Sequence, residues 1–125
     1  MGSSERLHLG NIAIARDWGW APEYVEAMWL MLQQESPSDF VIATGETNTL
    51  SDFAAEAFRC VGLDSRDHLE SDPTLLRPSE ILAGRSNPEK ALQVLGWKAK
   101  YKMRDVVGMM VEAEMRLLSE NIKKR

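Results

Sequence analysis

Leu9–Glu46, LGNIAIARDWGWAPEYVEAMWLMLQQESPSDFVIATGE, is the stretch on which the reading of this chain turns. A short apolar lead ends in a turn at Leu9-Gly10-Asn11, and Arg16-Asp17-Trp18-Gly19 then leads into a helix. Pro22 suits the first turn of that helix, where a missing N–H leaves nothing unpaired. Val25, Met28, Trp29 and Leu32 recur at helical spacing and make one apolar face, which Met31 widens. Ser36-Pro37-Ser38 stops the helix. Phe40-Val41-Ile42-Ala43 is a continuous apolar run between turn residues, the pattern of a strand covered on both faces. It ends at Thr44-Gly45-Glu46. A helix feeding a short strand that stops at a glycine is how an α/β sheet sets a ligand-facing loop at a strand's carboxyl end.

Working outward, residues Arg6 to Gly10 read as a short strand closed by Gly10-Asn11, and Asn11 to Gly19 as loop. Residues 1–4 read as a leader or cloning remnant, and 5–125 as a single domain. Thr49 with Asp52 resembles a capping box and opens a second helix, whose stripe is Phe53, Ala54, Ala57, Phe58 and Val61 and whose C′ residue is Gly62. Leu63 to Pro73 is polar and acidic and reads as a connection, since it lacks the alternating ligands and central glycine of a calcium loop. Leu75-Leu76 suggests a short strand. Asn87 is a good N-cap for a helix over Pro88 to Leu95, closed by Gly96. A last helix runs from about Met103 to Ser119, burying Val106, Val107, Met110, Val111, Leu117 and Leu118, with Glu112, Glu114 and Arg116 wet. Its methionines, at 103, 109, 110 and 115, read as gap-filling core. The fold class is therefore α/β (α+β), with four main helices and a few short strands.

Composition excludes several functions. A net charge of −4 and a pI near 5.2 lack the basic face that nucleic acid requires. No apolar run approaches the roughly 20 residues of a membrane span, and no signal peptide precedes Glu5 and Arg6. Lys123-Lys124-Arg125 reads as a solvated helix end that complements the helix dipole. The single cysteine, Cys60, rules out an internal disulfide, suits a reducing cytoplasm and reads as a small buried hydrophobe.

Arg16 and Arg77 are the leading candidates for chemistry. Each sits in a loop beside a stiffening residue, Trp18 or Pro78. A guanidinium donates two parallel charge-assisted bonds to a phosphate, so two of them converging would match a diphosphate. On their own terms they read first as solvated or salt-bridged surface residues, with Asp17 and Glu80 as nearby partners. His8 and His68 lack metal-ligand spacing. Glu112 and Glu114, two apart on a helix, point in different directions and suit a solvated face better than an acid–base pair.

The motifs RDWG at Arg16, YVEAMWLMLQ at Tyr24, DFVIATGET at Asp39, Arg77-Pro78-Ser79-Glu80, and Asn87-Pro88-Glu89-Lys90-Ala91 with Leu95-Gly96-Trp97-Lys98 closely resemble the C-terminal half of the GDP-mannose 4,6-dehydratases, extended short-chain dehydrogenases. The resemblance runs from Glu5 to Leu118. It implies that Arg16 and Arg77 contact the nucleotide diphosphate and ribose, that Glu80 helps hold the nucleoside, and that Asn11 lies near the sugar nucleotide. The chain departs from the family at Ala15, where a basic residue is usual, at Trp20, where a histidine is usual, and in a shorter segment between Gly62 and Arg77.

A dehydratase of this class binds NADP through a glycine-rich turn and uses a Tyr-x-x-x-Lys pair. This sequence has neither: no lysine stands four residues after Tyr24 or Tyr101. The resemblance thus implies a sugar-nucleotide-binding part, taking a ligand such as GDP-mannose, that is catalytically incomplete alone and has no catalytic residue, metal or cofactor of its own. Its apolar helix and strand call for cover, and a homo-oligomer is expected. The alternatives are a self-associating module with a vestigial site, and one half of a split enzyme completed by an NADP-binding chain.

Overall fold

The computed structural model describes residues 3–124. Met1, Gly2 and Arg125 lie outside the described residues, and with them the first part of the expected leader and the last residue of the basic end. In chain order the elements are β1 (Leu7–Leu9), β2 (Ala15–Arg16), α1 (Ala21–Leu32), β3 (Asn48–Thr49), α2 (Leu50–Cys60), α3 (Ser65–His68), β4 (Leu69–Ser71), a 3₁₀ turn (Pro73–Leu75), α4 (Glu89–Leu95) and α5 (Met103–Lys123). The four main helices stand where the apolar periodicity and the capping residues put them. α3 adds one further turn.

The capping chemistry works as the sequence suggests. Thr49 Oγ1 accepts from Asp52 N–H at 3.0 Å while the Asp52 carboxylate accepts from Thr49 N–H at 3.1 Å, so two orphan donors of α2 are satisfied reciprocally. Gly62 and Gly96, at φ 74° and 65°, take the left-handed geometry just past α2 and α4 that only glycine adopts freely. Asn87 Oδ1 accepts from Glu89 N–H at 3.0 Å, but α4 begins one residue later than expected, with Pro88 rather than Asn87 at its N-cap position.

Two packing centres result. In the first, Ala27 of α1 and Ala91 of α4 meet Trp97 and Ala99, with Tyr24, Leu30, Phe40, Ile42 and Leu95 around them. The second joins α2 to the first half of α5, where Ala54, Met103, Val106 and Val107 are buried. Within it the buried Glu56 holds Arg59 through two hydrogen bonds, which pull its carboxyl below the usual range against the opposing effect of burial.

Several expectations change. The 40–43 run is not a strand: no neighbouring strand pairs with it among the described residues, and a ladder needs a partner. Phe40 and Ile42 pack inward while Val41 is exposed, so one face is covered rather than two. The α1 face of Val25, Met28, Trp29 and Leu32 is exposed as well, because α4 and Trp97 approach the small Ala27 on the other side. The 11–19 loop contains β2, antiparallel to β3. The 63–73 connection contains α3 and β4, which pairs in parallel with β1 in the register Leu7↔Leu69. Leu75 belongs to the 3₁₀ turn, with Asp72 Oδ1 capping it at Thr74 N–H (2.9 Å), and makes no strand.

α5 runs four residues beyond Ser119 to Lys123, outreaching the 11-residue α2 on which its first half packs. Met110, Met115, Leu117 and Leu118 are therefore exposed rather than core. Cys60, at the last position of α2, is exposed and free. Among the described residues no helix is long and apolar enough to cross a membrane.

Candidate functional site

The Arg16-Asp17-Trp18-Gly19 run sends each residue to a different neighbour. Arg16 lies on β2, which has backbone on both sides. β3 pairs along one edge, and on the other Ala15 N–H donates to Leu82 O at 2.7 Å while Gly84 N–H donates to Ala15 O at 3.0 Å. The 80–84 segment is thereby laid against the arginine's strand. Arg16 Nη2 then reaches Glu80 Oε1 at 3.4 Å, across 64 residues of sequence, and Nη1 donates to Ala15 O at 2.8 Å. Both side chains are partly open, 32% for Arg16 and 20% for Glu80, and a 3.4 Å contact is a long one for a charge-assisted bond. The guanidinium keeps donors for an anion arriving from solvent.

Asp17 faces the other way. It does not pair with Arg16 as the sequence allowed; its Oδ1 accepts from Thr44 N–H (3.0 Å) and Thr44 Oγ1–H (2.8 Å), and its Oδ2 from Gly45 N–H (2.8 Å). Lys102 Nζ, ahead of α5, donates to Thr44 O. The turn that ends the 40–43 run, with Gly45 at φ 79°, is thus pinned to the residue next to Arg16. Trp18 packs its ring on Phe53 of α2 at 5.1 Å. Gly19 lies under Tyr24, where a Cβ would sit 2.1 Å from the phenol oxygen. Burial, and then the nearby carboxylates of Asp17 and Glu23, push that phenol above its ordinary pKa.

The remaining candidates are placed differently. Arg77 is exposed and makes no hydrogen bond or ion pair among the described residues, although Pro78 stiffens the chain between it and Glu80. Asn11 is occupied locally: its Oδ1 accepts from Ala13 N–H at 3.0 Å and closes a turn. The structure therefore brings Arg16 and Glu80 together, leaves Arg77 open on the same loop, and does not join Asn11 to them. Asp17, Thr44 and Lys102 complete the frame, and sequence reasoning missed their roles because separations of 27 and 58 residues carry no local signal.

A family model described as GDP-mannose 4,6 dehydratase matches residues 1–110. GDP-mannose 4,6 dehydratase 1 of Arabidopsis thaliana is 46% identical over 117 residues, which is 94% of this chain and 32% of that protein. The GDP-mannose 4,6 dehydratase of Dictyostelium discoideum is 37% identical over 139 residues, covering 98% of this chain and 39% of that protein. The chain thus spans about a third of the length of the curated relatives it matches. Among solved structures, UDP-glucose 4-epimerase of Thermotoga maritima with UDP-glucose superposes with a TM-score of 0.77 at 21% identity, over 92% of this chain and 36% of that one. At that identity the likeness is one of fold.

Proposed function

The chain belongs to the GDP-mannose 4,6-dehydratase family, and from that premise we propose that it supplies the part of a sugar-nucleotide site that grips the nucleotide diphosphate. Arg16 and Arg77 take the phosphates, and Glu80 orients Arg16 and accepts from the ribose hydroxyls, which a carboxylate is built to do. The observation that carries this reading is the Arg16–Glu80 contact at 3.4 Å, made across a segment hydrogen-bonded to β2 and bearing an uncommitted Arg77 three residues upstream. A solved relative of like fold, UDP-glucose 4-epimerase, carries UDP-glucose, a ligand of the same chemical class.

We assign no NADP site and no catalytic residue to this chain. A dinucleotide loop needs glycines that open a helix after a strand. Gly62 and Gly96 instead end helices, and Gly45 turns the chain between Thr44 and Glu46. Proton abstraction and hydride transfer belong to an NADP-binding part, so this chain alone binds and does not turn over. We place it in the cytoplasm, where the exposed Cys60 thiol stays reduced. A second reading, a self-associating module with the site vestigial, is favoured by the exposed α1 face of Val25, Met28, Trp29 and Leu32.

Calorimetric titration with GDP-mannose and with GDP separates the two. Saturable binding that Arg77→Ala weakens by about tenfold or more, the worth of a lost charge-assisted bond, is expected. No heat at millimolar ligand, from folded protein, would sink the binding reading in favour of the second.

A further inference from the structure

We propose that Ser79 is a phosphorylation site whose phosphate closes the nucleotide site, an effect that rests on the reading of Arg16 and Arg77 as diphosphate ligands. Residues 73–79 are all exposed, and from Leu76 to Glu80 the chain is neither helix nor strand. A protein kinase draws several substrate residues into a groove, and an exposed irregular run yields them without breaking a helix or a ladder. Within this run Ser79 stands between the open Arg77 and Glu80, the partner of Arg16. Neighbouring hydroxyls are already committed. Thr44 Oγ1 donates to Asp17 Oδ1 at 2.8 Å, Thr74 Oγ1 to Asp72 Oδ1 at 2.7 Å and Thr47 Oγ1 to Gly84 O at 3.4 Å. The Ser79 side chain makes no hydrogen bond among the described residues, so its hydroxyl is open to transfer.

The same neighbours decide what the phosphate does. An arginine two residues ahead of the hydroxyl gives a kinase a cation to select by charge. In the transfer, Ser79 Oγ attacks the γ-phosphorus of kinase-bound ATP. The new O–P bond forms as the bond to the β-phosphate oxygen breaks, ADP leaves, and the hydroxyl proton passes to the kinase's carboxylate base. The product carries about −1.5 to −2 of charge and three acceptor oxygens. It takes the donors of Arg77 as a ligand phosphate would. It also adds negative charge beside the partly open Glu80, where a diphosphate has to arrive. Both effects act against the ligand.

Incubating the full chain with Mg-ATP and a serine kinase that selects arginine ahead of its target, followed by mass spectrometry, tests the site. Phosphate on Ser79 is expected, absent in Ser79→Ala and slower to appear in Arg77→Ala. Phosphorylation should lower GDP affinity, read by calorimetry, about tenfold or more, while unmodified Ser79→Ala binds as wild type does. A readout without ligand keeps this apart from the nucleotide reading. The phosphorus NMR signal of the phosphoserine should titrate below its ordinary value of about 6, because a guanidinium favours the dianion, and should move back up in Arg77→Ala. No transfer to Ser79 would overturn the proposal, as would GDP bound equally well by the phosphorylated chain or a titration indifferent to Arg77→Ala. If the unmodified chain takes no GDP, it is the nucleotide reading that fails, and the phosphorus titration still decides whether the phosphate occupies Arg77.

Discussion

The two sides of α1 have opposite fates. On the inner side Ala27 is fully buried beneath α4, Tyr24 meets Trp97 edge-on with ring centroids 5.9 Å apart, and Trp97 Nε1–H donates to Glu23 O at 3.1 Å. The Glu23 carboxylate accepts from Lys100 N–H at 2.7 Å and Tyr101 N–H at 3.2 Å, fixing the link between α4 and α5 to the start of α1. On the outer side Trp29 is 60% and Leu32 81% exposed. Size and hydrophobicity favour the outer residues for burial, yet the inner ones are buried. Burial follows from what can approach: an alanine lets a neighbouring helix come close, whereas large apolar side chains stay in water until another surface covers them. Each outer side chain would contribute about 1.5–3 kcal/mol if a surface covered it, and while exposed it adds little to this chain's stability.

If that division is right, damage to the inner side is far more serious. Trp97→Ala removes the largest residue of the first core and the donor to Glu23 O, and should lower unfolding free energy by about 4 kcal/mol. A urea midpoint close to wild type would mean that Trp97 only fills space between independently stable parts. Glu23→Ala comes next, at about 2–3 kcal/mol, because two backbone N–H groups lose their acceptor in a half-buried place. Amide hydrogen exchange at Lys100 and Tyr101 should rise in that variant. If it did not, the loop would be held by something other than the carboxylate.

The inner side also marks how far sequence reaches. Thr49 with Asp52, Gly62, Asn87 and Gly96 act within a few residues of themselves, so α2 and α4 and their ends could be read directly. Helical periodicity likewise found α1 and α5. It did not find which face of each is covered, because Val25 and Met28 on α1 and Leu117 and Leu118 on α5 look like core residues whether or not a neighbour exists. The 40–43 run shows the same limit: its composition is that of an interior strand, and its pairing depends on other chain segments. At the site, Arg16 and Arg77 stood out by chemistry and Glu80 through the family's motif. The Arg16–Glu80 contact and the Asp17 clamp on Thr44 and Gly45 join positions 64 and 27 or 28 residues apart, and only the fold could bring them together.

The outer side should tolerate what the inner side does not. Leu32→Lys keeps helix propensity and removes no buried contact, so the unfolding free energy should stay within about 0.5 kcal/mol of wild type. A loss of about 2 kcal/mol or more, well outside that surface range, would show that the face is already covered in solution, and the contrast between the two sides would collapse.

The smallest effect appears only at alkaline pH and concerns Tyr24, at the edge of the inner side. Its phenol is held above its ordinary pKa by burial first, and then by the negative charges of Asp17 and Glu23. A group whose folded pKa is raised binds its proton more tightly when folded than when unfolded. Its contribution is therefore complete below the unfolded value, near pH 10, and is lost as pH climbs through the folded one. Urea midpoints should be flat around neutrality and decline above about pH 10. Tyr24→Phe should leave the neutral midpoint nearly unchanged and make the alkaline decline shallower, since phenylalanine has no proton to lose. Equal slopes for wild type and Tyr24→Phe would mean that the ring admits water between itself and the two carboxylates, and that the inner side of α1 is looser at its first turn than at Ala27.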